Sequence, residues 1–321
     1  MNRPNKILFT EGKACIEKYL LDREGELNLG QKIFNNENTK FVILGIEESI
    51  GPVANLGKSG SENAFKAFLK KFLSMQSNAT LVGNEIGILG KISIKSKSKN
   101  DKVGVEELDS FVLDILKRHV SMDQIPIVIG GGHNNSYPII KAISNLKNSK
   151  LDIVNLDAHA DYRKLEHRHS GNPFSYAFQD DLINRYFVIG LHERYNNEYS
   201  LKSLVSDKHY FTFFEEYLDE KRSFLNDINE IFGELNERNI PFGLELDLDS
   251  IENMPSSANS PSGFNFSDAR RYVRIFARNI NCSYLHLPEG SPKTPYEENV
   301  VGKALSYLVS DFISIHSGLK N

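Results

Sequence analysis

Residues 151–161 read LDIVNLDAHAD, an apolar run that ends in three side chains of metal-ligand type. Leu151 to Leu156 form a short and largely apolar run, which predicts a β-strand. Asp157, His159 and Asp161 follow the strand and alternate with alanine. If the backbone stays extended beyond the strand, side chains two residues apart point the same way, so these three would share one side.

Similar apolar runs alternate with longer amphipathic segments along the whole chain. Further strands are predicted at Lys40 to Gly45, Ile125 to Ile129, Tyr186 to Ile189, Pro241 to Leu248 and Tyr284 to Leu287. Apolar residues at three- and four-residue intervals predict helices at Glu62 to Ser74, Val105 to His119, Tyr137 to Leu146, Ser223 to Arg238, Ser267 to Asn279 and Glu297 to Ile315. This alternation predicts an α/β fold in which helices cover both faces of a mostly parallel sheet.

The composition is that of an ordinary globular protein. A chain of 321 residues, 40% of them hydrophobic and 25% charged, can bury a substantial core. The net charge of -4 is too small to indicate a nucleic-acid or membrane-surface partner. Cys15 and Cys282 are far apart in sequence, so they predict neither a disulfide framework nor a thiolate zinc site, and a reducing cytoplasm is expected.

Neither a signal peptide nor a membrane-spanning segment is predicted, because the N-terminus lacks an apolar core and no apolar stretch approaches ~20 residues. The polar stretch Ser93 to Lys102, SIKSKSKNDK, is expected to be a solvated surface loop. Ligands of parallel α/β sheets bind beyond the carboxyl ends of the strands. The residues after each apolar run are therefore the candidates for a site.

Ligand-type residues follow two further predicted strands. The run IPIVI is followed by Gly130-Gly131-Gly132-His133, and the strand through Leu244 continues into Asp247 and Asp249. Carboxylates crowded at a buried strand end repel one another and lose hydration, which is unfavourable unless cations neutralise them. A lone DxHxD run also occurs on solvated loops, but three clusters behind three strands favour a metal site.

Four ionised aspartates and two neutral histidines would match the charge of two divalent ions. Pairs of such ions generate a nucleophile from water near neutral pH in hydrolytic sites. Carboxylates with two imidazoles suit manganese, and zinc, iron and magnesium are also compatible with these residue types.

These residues together resemble the ureohydrolase superfamily of arginase, agmatinase and formimidoylglutamase. The matching motifs are GGGH at 130–133, DAHAD at 157–161 and DLDSIE at 247–252, in the family's order. An upstream segment, GIEESIGPVANLGKSGSENA at 45–64, is similar to the formimidoylglutamase branch. The resemblance implies a single three-layer α/β/α domain over residues 1–321, with residues 1–38 as an N-terminal extension.

The resemblance also implies a centre of two Mn2+ ions. One ion would be bound by His133, Asp157, Asp161 and Asp247, and the other by Asp157, His159, Asp247 and Asp249. Glu289, in the run LHLPEGSP, matches the carboxylate that holds the substrate's amidinium or guanidinium group in the family. By itself it would be an ordinary loop glutamate. Glu245 is either an acceptor for a ligand histidine or a strand-edge residue, and Glu252 stands where relatives carry aspartate.

Substrate selection is expected to lie in the loop after the DAHAD motif. Ser170-Gly171-Asn172 matches a substrate-carboxylate loop of arginase, and Ser-Gly followed by Pro-Phe looks like formimidoylglutamase. Ser170 and Asn172 are therefore predicted to bind an amino-acid substrate. Arg163 would pair with its carboxylate, with an ordinary structural ion pair as the alternative.

Two departures from arginase affect the proton shuttle. Gly132 replaces an acidic residue, and the Pro173-Phe174 region replaces a histidine expected shortly after Ser-Gly-Asn. His169 is predicted to act as the proton shuttle from a shifted position, and His167 is a second candidate. The alternative for both is an exposed loop histidine without a catalytic role. Weaker candidates for contact with substrate are His192, Asn196 and Asn197.

The leading hypothesis is a manganese-dependent cytoplasmic hydrolase of histidine metabolism that converts N-formimidoyl-L-glutamate to L-glutamate and formamide. One alternative is a guanidine hydrolase that releases urea, and another is a metal-binding homologue without turnover. The resemblance further implies a homo-oligomer acting on a small amino-acid-derived substrate.

Overall fold

A computed structural model describes residues 7–20, 24–34, 39–95 and 104–318 of the chain. Its strands are β1 (Ile7–Glu11), β2 (Phe41–Glu47), β3 (Ile86–Ile94), β4 (Ile125–Ile129), β5 (Leu151–Leu156), β6 (Ile183–Leu191), β7 (Tyr210–Phe213), β8 (Phe242–Leu246) and β9 (Cys282–Leu287). They form one sheet in the order β1-β3-β2-β4-β9-β8-β5-β6-β7. Only β1 is antiparallel to its neighbour among these described strands.

Helices cover both faces of this sheet. The α-helices of the described residues are α1 (Gly12–Ile16), α2 (Leu29–Phe34), α3 (Ile50–Ala54), α4 (Ala64–Phe72), α5 (Val105–His119), α6 (Ser136–Lys147), α7 (Pro173–Gln179), α8 (Glu198–Ser206), α9 (Phe214–Leu218), α10 (Phe224–Arg238), α11 (Phe266–Phe276) and α12 (Pro295–Ser317). Buried side chains of α4, α10, α11 and α12 form one core with Val154 of β5, and those of α5 to α8 form a second core with Ile153. The predicted three-layer α/β/α fold is confirmed.

The predicted elements are most accurate where a segment is apolar and buried. The strands β4 and β5 and the helix α5 have the predicted ends. The sequence did not indicate β1, β3 or β7. In β3, Gly87 and Gly90 interrupt the apolar pattern, and pairing with both neighbours holds the strand together.

Two predictions concern the ends of described segments. Ser93 and Ile94, predicted as loop, are the last residues of β3, because their backbones pair with β1. Residues 96–102 of that predicted loop lie outside the described residues. Within the predicted N-terminal extension, residues 7–11 form the edge strand β1. No helix in the described part of the chain is both long and apolar enough to cross a bilayer.

The sheet order places four strand ends together. The strands β4, β9, β8 and β5 are consecutive neighbours and all parallel, so their carboxyl ends meet at one edge in the middle of the sheet. The segments that follow them carry the GGGH motif, Glu289, Asp247 with Asp249, and the DAHAD motif. The fold therefore brings together residues far apart in sequence, such as His133 and Glu289, which are 156 positions apart.

Candidate metal centre

The first half of the candidate centre surrounds His133, which is completely buried. Its Nδ1 lies 3.1 Å from Asp157 Oδ2, 2.9 Å from Asp161 Oδ2 and 3.0 Å from Asp247 Oδ2. None of these contacts has hydrogen-bond geometry, and Nδ1 is left without a partner. One ring nitrogen cannot satisfy three carboxylates, whereas a cation between the four atoms would.

The second half shares Asp157 with the first. His159 Nδ1 lies 3.2 Å from Asp249 Oδ2 and 3.6 Å from Asp157 Oδ1. Asp249 is buried, and its Oδ1 has no hydrogen-bond partner. His159 is the more exposed imidazole, with 29% of its side chain accessible. The six side chains thus form two adjacent groups of candidate ligands joined through Asp157.

The pKa values of the crowded aspartates also fit bound cations. Burial, together with the charges of Asp249 and Asp157, holds the pKa of the Asp247 carboxyl well above its usual range. Burial and the neighbouring Asp157 raise the pKa of Asp161 to about 6. Carboxyls this crowded resist ionisation unless positive charge lies among them. The unpartnered nitrogen, the unpartnered carboxylate oxygen and the carboxyl crowding fit two divalent cations.

Tight turns bring the aspartates together. The prediction that the backbone stays extended beyond β5 is wrong. The strand β5 ends at Leu156, and Asp161 adopts a left-handed conformation with φ of 46°. Asp157 Oδ1 accepts the N–H of His159 at 2.7 Å, and Asp247 Oδ1 accepts the N–H of Asp249 at 2.8 Å. Each aspartate therefore closes a tight turn with the residue two positions on. The other carboxylate oxygen of Asp157 and of Asp247 approaches His133.

Glu48 fixes the glycine-rich loop that carries His133, a role that the sequence did not indicate. Its buried carboxylate accepts the N–H of Gly132 at 2.7 Å and the Nδ2 of Asn135 at 2.7 Å. It also accepts the backbone N–H groups of Ile50 at 2.6 Å and Gly51 at 3.2 Å. One carboxylate thus joins the start of α3 to the loop beside the candidate centre.

The replacement of the arginase acidic residue by glycine also has a structural reason. A Cβ on Gly132 would lie 2.2 Å from Pro52 Cδ and 2.5 Å from Asn134 Oδ1. The loop therefore packs directly against α3, and no side chain fits at this position.

We expect Glu48→Ala to lower the free energy of unfolding by about 3 kcal/mol or more, because it leaves several buried donors unpaired. Glu47→Ala is the matched control. It removes an ion pair of 2.6 Å with Lys91 at the end of β2, and such pairs contribute about 1 kcal/mol or less. Denaturant unfolding of both variants checks the difference. Equal losses would contradict the role assigned to Glu48.

Glu245 lies beneath His133 in the middle of the sheet. Its Oε2 is 3.5 Å from His133 Nε2, and the carboxylate also accepts from Ser136 Oγ at 3.0 Å and Tyr284 OH at 2.7 Å. Although burial opposes ionisation, the charges of His286 and His133 hold its pKa at about 2. An ionised carboxylate facing Nε2 favours a proton on that nitrogen, which leaves Nδ1 free to bind a cation. Glu245 thus faces the histidine at 3.5 Å, without the hydrogen-bond geometry of an acceptor.

Glu289 is also buried, in contrast to an ordinary loop glutamate. Its Oε1 accepts the N–H of His133 at 2.8 Å, its Oε2 accepts from Ser257 Oγ, and its own N–H donates to Gly131 O at 2.9 Å. Burial raises its pKa to about 8. A carboxyl held in this way regains its negative charge most readily when a cationic group binds beside it.

A polar cavity of about 240 Å3 opens onto the candidate ligands. Its walls include His159, Asp161, Asp247, Asp249, Glu289, Arg163, Ser170, Tyr195, Asn196 and Asn197. Arg163 donates to Asn55 Oδ1 at 3.0 Å, and Asn55 Nδ2 reaches Ser170 Oγ at 3.4 Å. Arg163 Nε lies 4.0 Å from Glu166 Oε1, so its guanidinium makes no close ion pair with the described residues.

This cavity is not lined by His169, the predicted proton shuttle, or by Asn172, a predicted substrate-binding residue. Asn172 is completely buried, and its Oδ1 accepts from Arg168 at 2.6 Å. His169 Nδ1 accepts the N–H of Gly171 at 3.0 Å, its Nε2 lies 3.0 Å from Glu166, and burial lowers its pKa. Both side chains are used to hold the loop in shape.

Some of the remaining predicted site residues line the cavity, and others lie outside it. His192 is buried beneath Tyr195, with ring centroids 5.1 Å apart, and does not line the cavity. Asn196 accepts the N–H of Ala160 at 2.7 Å, so it supports the DAHAD segment as well as lining the cavity. The exposed candidates His167 and Glu252 lie outside the cavity wall.

Four carboxylates and two imidazoles under a polar cavity, at the carboxyl edge of a parallel sheet, define an α/β protein with a candidate two-metal centre. The sequence model of the arginase family matches residues 39–312, and the chain belongs to that family. Predicted membership of the ureohydrolase superfamily is thereby confirmed.

Similar proteins agree with the predicted branch. The chain is 28% identical over 183 residues to a curated formimidoylglutamase of Streptococcus pyogenes serotype M3, which is 54% of this chain and 53% of that relative. The chain thus matches about half the length of such relatives. It shares its fold with Trypanosoma cruzi formiminoglutamase with Mn2+ (TM-score 0.71, 19% identity, 89% of this chain and 98% of that one). It also shares it with Bacillus subtilis formimidoylglutamase (TM-score 0.77, 16% identity, 93% and 94%).

Proposed function

We propose that this protein is a manganese-dependent hydrolase that cleaves the C–N bond of N-formimidoyl-L-glutamate and releases L-glutamate and formamide. The observation that carries the proposal is the presence of an acidic and a basic side chain in one cavity. Glu289, which suits a cationic amidinium, and Arg163, which suits a carboxylate, line the same cavity as the candidate metal ligands. A substrate with an amidinium at one end and carboxylates at the other matches this charge pattern.

The names of similar proteins support the same substrate and metal. The curated relatives of the chain are formimidoylglutamases, and a structural neighbour with that activity in its name carries Mn2+. Manganese also suits a donor set of carboxylates and imidazoles. We infer that His133, Asp157, Asp161 and Asp247 hold one ion and that Asp157, His159, Asp247 and Asp249 hold the other.

When bound, two divalent ions supply a nucleophile from water near neutral pH and stabilise negative charge on the reacting group. The chain's own residues place the substrate. Glu289, oriented by the His133 N–H and Ser257, would accept hydrogen bonds from the amidinium nitrogens and hold the planar group beside the ligand cluster. Arg163 and Ser170, linked through Asn55, would hold a carboxylate at the other side of the cavity.

The cavity also supports a guanidine hydrolase, because Glu289 would bind a guanidinium as readily as an amidinium. A panel of formimidoylglutamate, arginine, agmatine and guanidinobutyrate, assayed with the manganese-loaded protein, separates the two. We expect formamide from the first compound and no urea from the others. Urea release without formamide would replace the proposed substrate. Stoichiometric manganese with neither product would indicate a homologue without turnover.

We further infer that the protein acts in the cytoplasm, within histidine metabolism, as a homo-oligomer. Both cysteines are buried free thiols, which supports a reducing compartment. The resemblance to formimidoylglutamases supports the metabolic role and the assembly.

We expect Glu245→Gln to weaken manganese binding by about 10- to 100-fold, since such a carboxylate orients and polarises the histidine that it contacts. Isothermal titration with Mn2+ measures the change directly. Asp152→Asn is the matched control, because Asp152 is a buried carboxylate paired with Arg238 at the start of β5, away from the candidate centre. If Asp152→Asn weakened manganese binding as much as Glu245→Gln does, loss of stability alone would explain the effect.

A further inference from the structure

Arg168 is a buried cation that the proposed chemistry does not use. Its side chain is 3% exposed, although it belongs to the surface loop between the DAHAD motif and α7. Its Nε donates to Asp109 Oδ2 at 2.9 Å, its NH1 to Asn172 Oδ1 at 2.6 Å, and its NH2 to Asn134 O at 2.9 Å. The guanidinium therefore joins three separate segments: α5, its own loop, and the turn directly after His133.

Two aromatic rings contact the same guanidinium. The Cζ of Arg168 lies 4.9 Å from the ring centroid of Tyr137 and 4.9 Å from that of Tyr176. Tyr137 is the second residue of α6, which follows His133, and Tyr176 belongs to α7, which follows the loop. A planar cation held by a fork of hydrogen bonds and by aromatic contacts has one orientation, which a lysine ammonium cannot reproduce.

The loop between the DAHAD motif and α7 has one side that faces the cavity and one that faces away from it. Arg163, Ser170 and Gly171 line the cavity. Behind them, Asn172 accepts from Arg168 and from the N–H of His169 at 3.1 Å and donates to His167 O at 3.0 Å. Arg163 is tied to this arrangement because its N–H donates to Gly171 O at 3.0 Å. The position of the cavity wall thus depends on contacts that Arg168 makes from behind.

We propose that Arg168 is a positioning residue that sets the distance between the substrate-carboxylate side of the cavity, at Arg163 and Ser170, and the segment that carries His133. This inference rests on the proposed function, since it assumes that the cavity binds a substrate carboxylate. Arg168 acts through Asn172 and Asn134 and touches neither substrate nor a candidate ligand side chain.

Arg168→Lys tests this role because it keeps a positive charge beside Asp109 and removes the fork. We expect KM for formimidoylglutamate to rise at least tenfold, while kcat and the Kd for Mn2+ change less than threefold. Amide hydrogen exchange over residues 163–172 should become at least tenfold faster, and this readout requires no activity.

Arg238→Lys is the matched control, because Arg238 makes a two-pronged contact with buried Asp152, at 2.6 and 3.1 Å, on the far end of β5. It should lower thermal stability without changing KM or exchange in the loop. If Arg168→Lys fails to fold, Arg168→Gln with Asp109→Asn removes both buried charges together, and the same rise in KM and in exchange is expected.

Unchanged exchange in the loop, or a rise in KM no larger than that of the control, would overturn the proposal. A loss of manganese affinity of tenfold or more would also overturn it, by placing the effect at the candidate centre. If the wild-type protein releases no formamide, the proposed function fails by itself, and loop exchange still decides whether Arg168 holds the loop.

Discussion

Asp157→Asn should abolish manganese binding at both positions and reduce formamide release by about a thousandfold or more. Asp157 belongs to both groups of candidate ligands, so its loss weakens both sites at once. The metal contribution to hydrolysis is several kcal/mol, and each 1.36 kcal/mol is about tenfold in rate. Metal content after dialysis, measured by elemental analysis, and initial rates check the two parts of this prediction.

Asp180→Asn provides the control for loss of a carboxylate. Asp180 follows α7 and pairs with Lys141 at 2.7 Å near the surface, so manganese content and rate should stay at the wild-type level. An Asp157→Asn protein that still holds two manganese ions per chain would contradict the shared position assigned to Asp157.

Glu289→Gln should lower kcat/KM for formimidoylglutamate by about 30-fold to several thousandfold, because removing one partner of a buried charge pair costs about 2–5 kcal/mol. The amide can keep its contacts with the His133 N–H and Ser257, but it cannot supply the negative charge that the amidinium requires. Manganese affinity should be nearly unchanged, since Glu289 lies outside both ligand groups. Steady-state kinetics and manganese titration separate the two effects.

Glu252→Gln is the corresponding control, since Glu252 is exposed and does not line the cavity. Its kinetics should match those of the wild type. If Glu289→Gln lost manganese and activity together, Glu289 would be part of the metal site and not the holder of the amidinium.

Residue patterns predicted six strands of the sheet and the clustering of the candidate ligands because both are properties of short segments. An apolar run such as Leu151 to Leu156 contains its own strand signal, and polar side chains directly after it necessarily lie at the sheet edge. The gathering of His133 with Asp157 and Asp247 then follows from the adjacency of their strands. Sequence spacing could not reveal that tight turns, and not extended backbone, aim the aspartates.

Contacts between distant segments were the part that could not be predicted. Glu48 looks like any polar residue in sequence, and its importance depends on Gly132, 84 positions away. His169 and Asn172 have the residue types of a binding loop, but their side chains turn inward to satisfy backbone groups. Such choices are made by tertiary packing and hydrogen-bond satisfaction, which a linear pattern does not contain.

We infer that six side chains hold two cations side by side. Anomalous diffraction at the manganese absorption edge, from crystals grown with Mn2+, tests it most directly. We predict two peaks about 3.5–4 Å apart, one beside His133 and one beside His159, with Asp157 and Asp247 in contact with both. A single peak, or peaks away from these residues in an otherwise intact fold, would contradict the claim.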